Sequence, residues 1–96
     1  MAAVKWLPEA VADVERLHAF LFGKNPEAAA GAAKLILQTA SLLVKNPRIG
    51  RPMPDETGRR ELFAAYGVGA YVLRYKIVRD NPVIIRVWHS RENRII

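Results

Sequence analysis

The residues best suited to chemistry lie near the carboxyl end of the chain. Residues 85–94 read Ile-Arg-Val-Trp-His-Ser-Arg-Glu-Asn-Arg, which places the imidazole of His89 among the guanidinium groups of Arg86, Arg91 and Arg94. A ribonuclease needs this combination, because an imidazole transfers protons while guanidinium groups stabilise the charge that develops on phosphate. A strand that ends in a polar tail would contain the same residue types, with His89 in a structural role. Their chemistry alone leaves both interpretations open.

Other signatures of catalysis are missing from the sequence. It has no glycine-rich phosphate loop, no paired-histidine metal motif and no cysteine. His18 follows Leu17 in a segment with helical periodicity, which favours a partly buried structural histidine. Asp13 and Glu15 are two positions apart on the same helix, so their carboxylates point in different directions. We therefore expect neither a metal ion nor an organic cofactor.

The length and composition fit one small domain covering residues 1–96. A chain of 96 residues with 51% hydrophobic content can build one core and has no room for a second. The absence of cysteine is ordinary for a cytosolic protein. The first residues lack a basic stretch followed by a long apolar run, and no 18 apolar residues are consecutive. The sequence predicts a cytoplasmic protein that does not associate with membranes.

The positive charge is concentrated in the second half of the chain. Residues 1–47 carry five basic and four acidic side chains, whereas residues 48–96 carry ten and five, and nine of those ten are arginine. The planar guanidinium group suits phosphate and carboxylate better than the ammonium group of lysine does. This half of the chain therefore indicates either a surface that meets an anionic partner or a basic surface that only improves solubility.

The first half of the chain has helical periodicity. Residues 3–7 predict a short strand, and Pro8 suits the first turn of a helix that ends near Gly23. Asn25-Pro26-Glu27 predicts a second helix start, and Asn46-Pro47 predicts its end. This second helix has two apolar stripes, 29-33-36-40-43 and 28-32-35-42. Small alanines along one side favour close packing of the two helices as a hairpin.

The second half alternates with a period of two. Residues 47–58 contain three prolines and two glycines and predict irregular structure. Three strands are then expected at Arg60–Ala64, Ala70–Val78 and Val83–His89, the last two joined by a turn at residues 79–82. The predicted core face comprises Tyr71, Leu73, Tyr75, Ile77, Val83, Ile85 and Val87; the other face comprises Arg74, Lys76, Arg86 and Trp88. This order predicts an α+β fold with an N-terminal strand, a helical hairpin and a three-stranded antiparallel meander.

Three segments give the chain a resemblance to a known family. Residues 46–52 (Asn-Pro-Arg-Ile-Gly-Arg-Pro), 71–75 (Tyr-Val-Leu-Arg-Tyr) and 84–91 (Ile-Ile-Arg-Val-Trp-His-Ser-Arg) resemble the RelE/ParE toxin superfamily and its ParE-like branch, in order and spacing. The resemblance implies a microbial-RNase-like fold and a plasmid-stabilisation or toxin–antitoxin role. It also implies a cognate, ParD-like acidic antitoxin, and contact with operator DNA only through that antitoxin.

The resemblance allows two molecular targets. RelE members cut mRNA on the ribosome, and ParE members inhibit DNA gyrase. RelE-like nucleases carry an arginine after the first aromatic residue of the tyrosine-containing strand, where this chain has Val72, and rely on an aromatic or basic side chain near a terminus that here reads Arg94-Ile95-Ile96. His89-Ser90-Arg91 resembles the strand ending of ParE-like members. Gyrase inhibition therefore ranks first, a ribosome-dependent endoribonuclease second and an interaction module without toxicity third.

Each role has its own candidate residues. A nuclease would use His89 for proton transfer, with Arg86, Arg91 and Arg74 on phosphate. The expected target-binding residues are Arg74, Arg86, Trp88, His89, Arg91 and Arg94. The antitoxin is expected to cover Val11, Val14, Leu35 and Leu42 of the helices and to reach Arg74 and Arg86 with acidic groups. His89 and two arginines on one concave surface would favour the nuclease, and a dispersed arrangement would favour the binding protein.

Overall fold

The computed structural model describes residues 3–92, which form two helices and one five-stranded sheet. Along the chain these are β1 (Lys5–Trp6), α1 (Pro8–Phe22), α2 (Pro26–Lys45), β2 (Arg51–Pro52), β3 (Arg59–Tyr66), β4 (Gly69–Val78) and β5 (Asn81–His89). The sheet order is β1-β5-β4-β3-β2; β1 is parallel to β5 and all other neighbours are antiparallel. The predicted α+β order of strand, helical hairpin and three-stranded meander is confirmed.

Local sequence signals set the helix ends. Pro8 and Pro26 each occupy the first turn of a helix, where the missing N–H costs no hydrogen bond. The side-chain oxygen of Asn25 accepts hydrogen bonds from the backbone N–H groups of Glu27 (3.0 Å) and Ala28 (3.2 Å). α1 ends immediately before Gly23, and α2 ends immediately before Asn46-Pro47. The predicted starts and ends of both helices are therefore confirmed.

The core lies between α2 and one face of the sheet. α2 contributes Ala29, Ala32, Ile36, Ala40 and Leu43, and the sheet contributes Tyr71, Leu73, Tyr75, Ile84 and Val87, all buried. By length and composition alone α2 is apolar enough to cross a membrane. In this fold its buried stripe faces the sheet, so its apolar character is that of a core helix. We call the sheet surface turned away from the helices the open face.

A β-bulge in β5 makes part of the predicted face assignment wrong. Arg74 is opposite Arg86 while Tyr75 is opposite Ile84, so Ile85 is an extra residue in the ladder. Ile84 and Val87 are therefore fully buried, whereas Val83 and Ile85, expected in the core, are only half-buried. Because of this extra residue, the residues of β5 before Ile85 lie on the face opposite to the one that uninterrupted alternation predicts.

The connections are also more ordered than expected. Only Arg79 and Asp80 form the turn between β4 and β5, both with positive φ (52° and 68°), because a tight two-residue hairpin requires left-handed backbone. The expectation that residues 47–58 lack regular structure is wrong at Arg51–Pro52, which pair with β3. The preceding loop is fixed by Tyr75.

Tyr75 holds the loop after α2 against the sheet. Its buried hydroxyl donates a hydrogen bond to the carbonyl oxygen of Pro47 (2.7 Å) and accepts one from the N–H of Gly50 (2.8 Å). A Cβ atom at position 50 would lie 2.5 Å from the tyrosine ring, so only glycine permits this approach. Burial raises the pKa of the Tyr75 hydroxyl, despite the opposing hydrogen bond from Gly50, so the group stays protonated and can donate.

Replacing Tyr75 by phenylalanine should lower the free energy of unfolding by about 1–3 kcal/mol, because it leaves the Pro47 carbonyl and the Gly50 N–H unpaired in a buried place. Urea unfolding of the purified protein measures the change. Tyr66→Phe is the matched control: the Tyr66 hydroxyl makes one half-buried bond, to the carbonyl of Ala28 (2.8 Å), and should contribute less. Equal losses in the two variants would contradict the role given to Tyr75.

Candidate functional site

A buried carboxylate joins α1 to the carboxyl half of β5. Asp13 is only 4% exposed, and its oxygens accept hydrogen bonds from Arg86 Nε (2.7 Å) and Nη2 (3.0 Å) and from the backbone N–H of Val87 (2.9 Å). Arg16 donates a further bond of 3.3 Å. Since β1 pairs with β5 only at Val83 and Ile84, the N–H of Val87 is open to a side-chain acceptor. Asp13 therefore fixes α1 across the strand edge.

The charges of this cluster stabilise one another. Burial by itself would raise the pKa of the Asp13 carboxyl, but the hydrogen bonds from Arg86, Val87 and Arg16 outweigh it and hold the pKa below its ordinary value. The same hydrogen bond raises the pKa of Arg86. The Arg86 guanidinium is consequently engaged on the protein's own carboxylate, although its side chain remains partly exposed.

A groove of about 660 Å³ lies between α1 and the end of the sheet, beside the β3–β4 turn at Gly67 and Val68. We call it the α1–turn groove. Its walls are mostly apolar, from Leu17, Phe20, Leu21, Val68 and the ring of Tyr71, with polar groups from Arg16, Tyr66, His89, Arg91 and Glu92. It is the concave surface on which His89 lies.

Both ring nitrogens of His89 have partners. Nε2 lies 3.2 Å from the carbonyl oxygen of Tyr66, and Nδ1 accepts a hydrogen bond of 3.2 Å from the N–H of Arg91. A carbonyl can only accept, so Nε2 is the donor in this contact while Nδ1 is the acceptor in the other. The ring edge also packs on Tyr71, with 5.0 Å between centroids. Proton transfer by either nitrogen would require one of these bonds to break.

Residues 89–92 form a tight turn that closes one end of the groove. Ser90 exchanges hydrogen bonds with Ala70, through its N–H (2.7 Å) and its hydroxyl (2.9 Å). A Cβ atom at Gly69 would lie 2.5 Å from the Ser90 hydroxyl and 2.7 Å from the His89 ring, so the turn needs glycine there. Glu92 accepts hydrogen bonds from Arg16 and from the N–H of His89. The turn is thereby fastened to both β4 and α1.

The open face carries aromatic rings covered by arginines. Arg74 is paired with Glu61 (2.9 Å), and its guanidinium lies 4.8 Å from the centre of the Trp88 ring. Arg51 lies 5.4 Å from the centre of the Phe63 ring. These contacts combine cation–π attraction with apolar surface, which is a composition typical of protein-binding patches. Phe63 remains 46% exposed.

The structure distributes the predicted site residues over three places. His89 and Arg91 line the α1–turn groove, Arg74 and Trp88 lie on the open face, and Arg86 lies at the strand edge with Asp13. Arg94 lies outside the described residues. Among the residues that the structure describes, no group of three His, Asp or Glu side chains could hold a metal ion.

The residues expected to meet an antitoxin are unevenly exposed. Val11 and Leu42 are exposed, whereas Val14 and Leu35 are half-buried and pack against the core. The two arginines expected to join them, Arg74 and Arg86, are both paired with internal carboxylates. Their role in binding an antitoxin stays a prediction.

Sequence reasoning missed Asp13, Phe20 and Tyr66. A signal for Asp13 was present, because Ala10, Asp13 and Leu17 share one helix face at spacings of three and four, and a carboxylate within an apolar stripe indicates a buried partner. That partner lies 73 positions away, beyond the reach of local pattern. Phe20 and Tyr66 carry no comparable signal, since their shared groove exists only after α1 packs on the sheet.

Comparison with known proteins gives consistent matches. Residues 4–94 match the family model of the ParE toxin of type II toxin-antitoxin system, parDE. The chain is 36% identical over 94 residues to Toxin RelE3 of Caulobacter vibrioides, covering 98% of this chain and 100% of that one. It is 33% identical over 82 residues to Toxin RelE1 of the same organism, covering 85% and 86%.

Two solved structures share the fold. The chromosomal ParDE TA system from P. aeruginosa superposes with a TM-score of 0.75 at 22% identity, covering 93% of this chain and 96% of that chain. The toxin-antitoxin complex RelBE2 from Mycobacterium tuberculosis superposes with a TM-score of 0.60 at 26% identity, covering 93% and 98%. The helical hairpin and the sheet are therefore an arrangement shared with both structures.

Replacing Asp13 by asparagine should lower the free energy of unfolding at neutral pH by about 2 kcal/mol or more, because Arg86 loses its charged partner. The pH dependence should also change. A carboxyl whose pKa is lowered by folding stabilises the native state above its unfolded pKa, and this contribution disappears as pH falls through the folded value. The difference between the two proteins should therefore shrink below about pH 4.

Thermal and urea unfolding from pH 7 to pH 2.5 would measure this difference. Asp55→Asn is the control, because the pKa of that carboxyl is also lowered, chiefly by the Thr57 hydroxyl, but in an exposed loop. A pH-independent difference between the wild type and Asp13→Asn would show that the charge of Asp13 does not stabilise the fold.

Proposed function

We propose that this chain, which belongs to the ParE toxin family of type II toxin-antitoxin systems, inhibits DNA gyrase in the cytoplasm and is neutralised by a cognate acidic antitoxin. An antitoxin partner is supported by the similar structures, which are the ParDE and RelBE2 toxin–antitoxin systems. The net charge of +6 suits an acidic partner. The choice of gyrase depends on the arrangement of the residues that a nuclease would use.

The residues expected to act in a nuclease lie in different places, and this observation supports gyrase inhibition over RNA cleavage. A nuclease needs a proton-transfer group and unpaired cations around one phosphate. In this chain His89 uses both ring nitrogens within the fold, Arg86 is bound to Asp13, and Arg74 is bound to Glu61 on the opposite face of the sheet. Of the arginines expected to contact phosphate in a nuclease, only Arg91 shares a concave surface with His89, and this dispersal supports a protein that acts by binding over one that acts by acid–base catalysis.

The open face is the surface we assign to target binding. It presents Phe63 and Trp88 with Arg51 and Arg74 above their rings, and aromatic and arginine side chains provide most of the energy of many protein interfaces. Its cations are already ordered by the rings and by Glu61, so less side-chain freedom is lost on binding. Gyrase would be recognised there by shape and apolar contact.

A ribosome-dependent endoribonuclease is the second candidate, because two observations favour it. The α1–turn groove brings His89 together with Arg91, Arg16 and two tyrosines, which meets the geometric criterion stated for a nuclease, His89 and two arginines on one concave surface. The two relatives described above are also named RelE toxins. In this hypothesis substrate would have to displace the Tyr66 carbonyl or the Arg91 N–H from the His89 ring. Arg16 would also have to leave Glu92 or Asp13.

The variant His89→Gln separates the two candidates. Glutamine keeps an N–H donor that can reach the Tyr66 carbonyl, but it cannot transfer a proton at neutral pH. For a gyrase inhibitor, growth arrest and inhibition of supercoiling should stay within about threefold of the wild type. For a nuclease, cleavage of ribosome-bound mRNA should fall by about 100- to 10,000-fold.

Pulse labelling of DNA and protein synthesis after induction would show which process stops first. Purified wild-type toxin would be assayed on gyrase supercoiling in parallel. If supercoiling is unaffected while translation stops first and His89→Gln loses toxicity, gyrase inhibition is wrong and the nuclease hypothesis is correct.

The variant Phe63→Ala tests the open face. Loss of a central aromatic contact typically costs an interface at least about 1.4 kcal/mol, so about tenfold more toxin should be needed for half-maximal inhibition of gyrase. Val78→Ala is the matched control, since Val78 is equally exposed (46%) but lies beside the β4–β5 turn. Equal inhibition by wild type and Phe63→Ala would exclude this surface.

A further inference from the structure

The α1–turn groove has exposed apolar side chains on two separate elements. Phe20 of α1 is 63% exposed, and Val68 in the β3–β4 turn is 81% exposed, in a position where turns usually carry polar residues. Between them the floor is formed by the apolar side chains of Leu17 and Leu21 and by Tyr71. Such a groove is suited to an inserted apolar side chain, because both walls and the floor would lose water together.

The rim of this groove is cationic. Arg16 and Arg91 line it, and the ammonium group of Lys24 lies 4.7 Å from the centre of the Phe20 ring. Among the residues that line the groove, Glu92 is the one acid. An occupant with carboxylates beside its apolar side chain would therefore match the charge of the rim.

Glu92 already occupies the place where such a carboxylate would bind. Arg16 donates from Nη1 to Glu92, while its Nη2 donates to Asp13 (3.3 Å) and to the carbonyl oxygen of Val87 (3.4 Å). Because the two ends of the guanidinium are held separately, Nη1 would keep its position if Glu92 turned away. The Arg16–Glu92 pair is partly solvated, with side-chain exposures of 45% and 23%, so exchanging one carboxylate for another costs little.

We propose that the α1–turn groove receives an acidic, apolar segment of the cognate antitoxin, and that a carboxylate of this segment displaces Glu92 from Arg16. The identity of the partner depends on the function proposed above; the location and the exchange depend on the groove. Glu92 in the free toxin is then an internal substitute for the partner. It keeps Arg16 paired and the groove wall ordered until the antitoxin binds.

The first test uses Phe20→Glu with the proposed cognate antitoxin. An acid in place of the aromatic ring removes apolar contact and repels an acidic segment, so the dissociation constant should rise at least tenfold. The variant should remain toxic, because the groove is separate from the open face, but co-expressed antitoxin should no longer rescue growth. Leu37→Glu is the matched control, since Leu37 is 55% exposed on the other helix, outside the groove lining and outside the residues predicted to meet the antitoxin.

The second test uses Glu92→Gln, which removes the competing charge and leaves Arg16 available. Antitoxin should then bind several-fold more tightly, and the gain should disappear at high salt, because a charge–charge competition is screened. Titration calorimetry at low and high salt would measure both effects. Unchanged or weaker binding by this variant would contradict the carboxylate exchange.

The possible outcomes distinguish an error in the proposed binding site from an error in the proposed function. If the antitoxin fails to rescue cells from the wild-type toxin, the proposed partner is wrong and this inference is wrong with it. If it rescues the wild type and Phe20→Glu equally, only the groove is wrong. If Phe20→Glu loses toxicity but still binds the antitoxin, the groove binds the target of the toxin and the inference is also overturned. Should Phe20→Glu fail to fold, Val68→Glu in the exposed turn provides the same test.

Discussion

The hydrogen bonds from Arg86 and Val87 to Asp13 are the interaction on which the site depends. β1 covers only the first part of β5, so the remaining strand edge would be left with an unpaired Val87 N–H. A buried carboxylate from α1 covers that edge, and its charge is tolerated because two arginines and a backbone N–H surround it. This contact holds α1 against β5, and Arg16, which also donates to Asp13, lines the α1–turn groove.

The alternation of side chains along the carboxyl half of β5 distributes one stretch of sequence over three surfaces. From Arg86 to His89 the register against β4 is regular, so Trp88 lies on the open face and His89 lies on the opposite face at the groove, while the Arg86 side chain reaches Asp13 at the strand edge. Residues that are neighbours in the sequence are consequently separated by the sheet itself. This separation places Trp88 and His89 on two different surfaces of the protein.

Much of the fold could be predicted because its signals are local. Helix starts at Pro8 and Asn25 and the end at Asn46 depend on neighbouring residues, and the alternation of the strands depends on a period of two. Together these signals predicted the α+β order, and three segments, 46–52, 71–75 and 84–91, carried the family resemblance. The interior of residues 47–58 could not be predicted in this way, because the loop is ordered by a hydroxyl from Tyr75, 25 positions beyond Gly50.

The sequence by itself determined the elements, the basic second half and the family, since each depends on composition or on residues close in the chain. Only the tertiary structure decided which arginines are paired with carboxylates of the same chain. Arg74 and Arg86 look alike in the sequence, yet each is bound to an internal carboxylate, Glu61 or Asp13, and these pairs span 13 and 73 positions. The physical reason is that the effect of a charge depends on the groups around it, and those neighbours meet only when the chain folds.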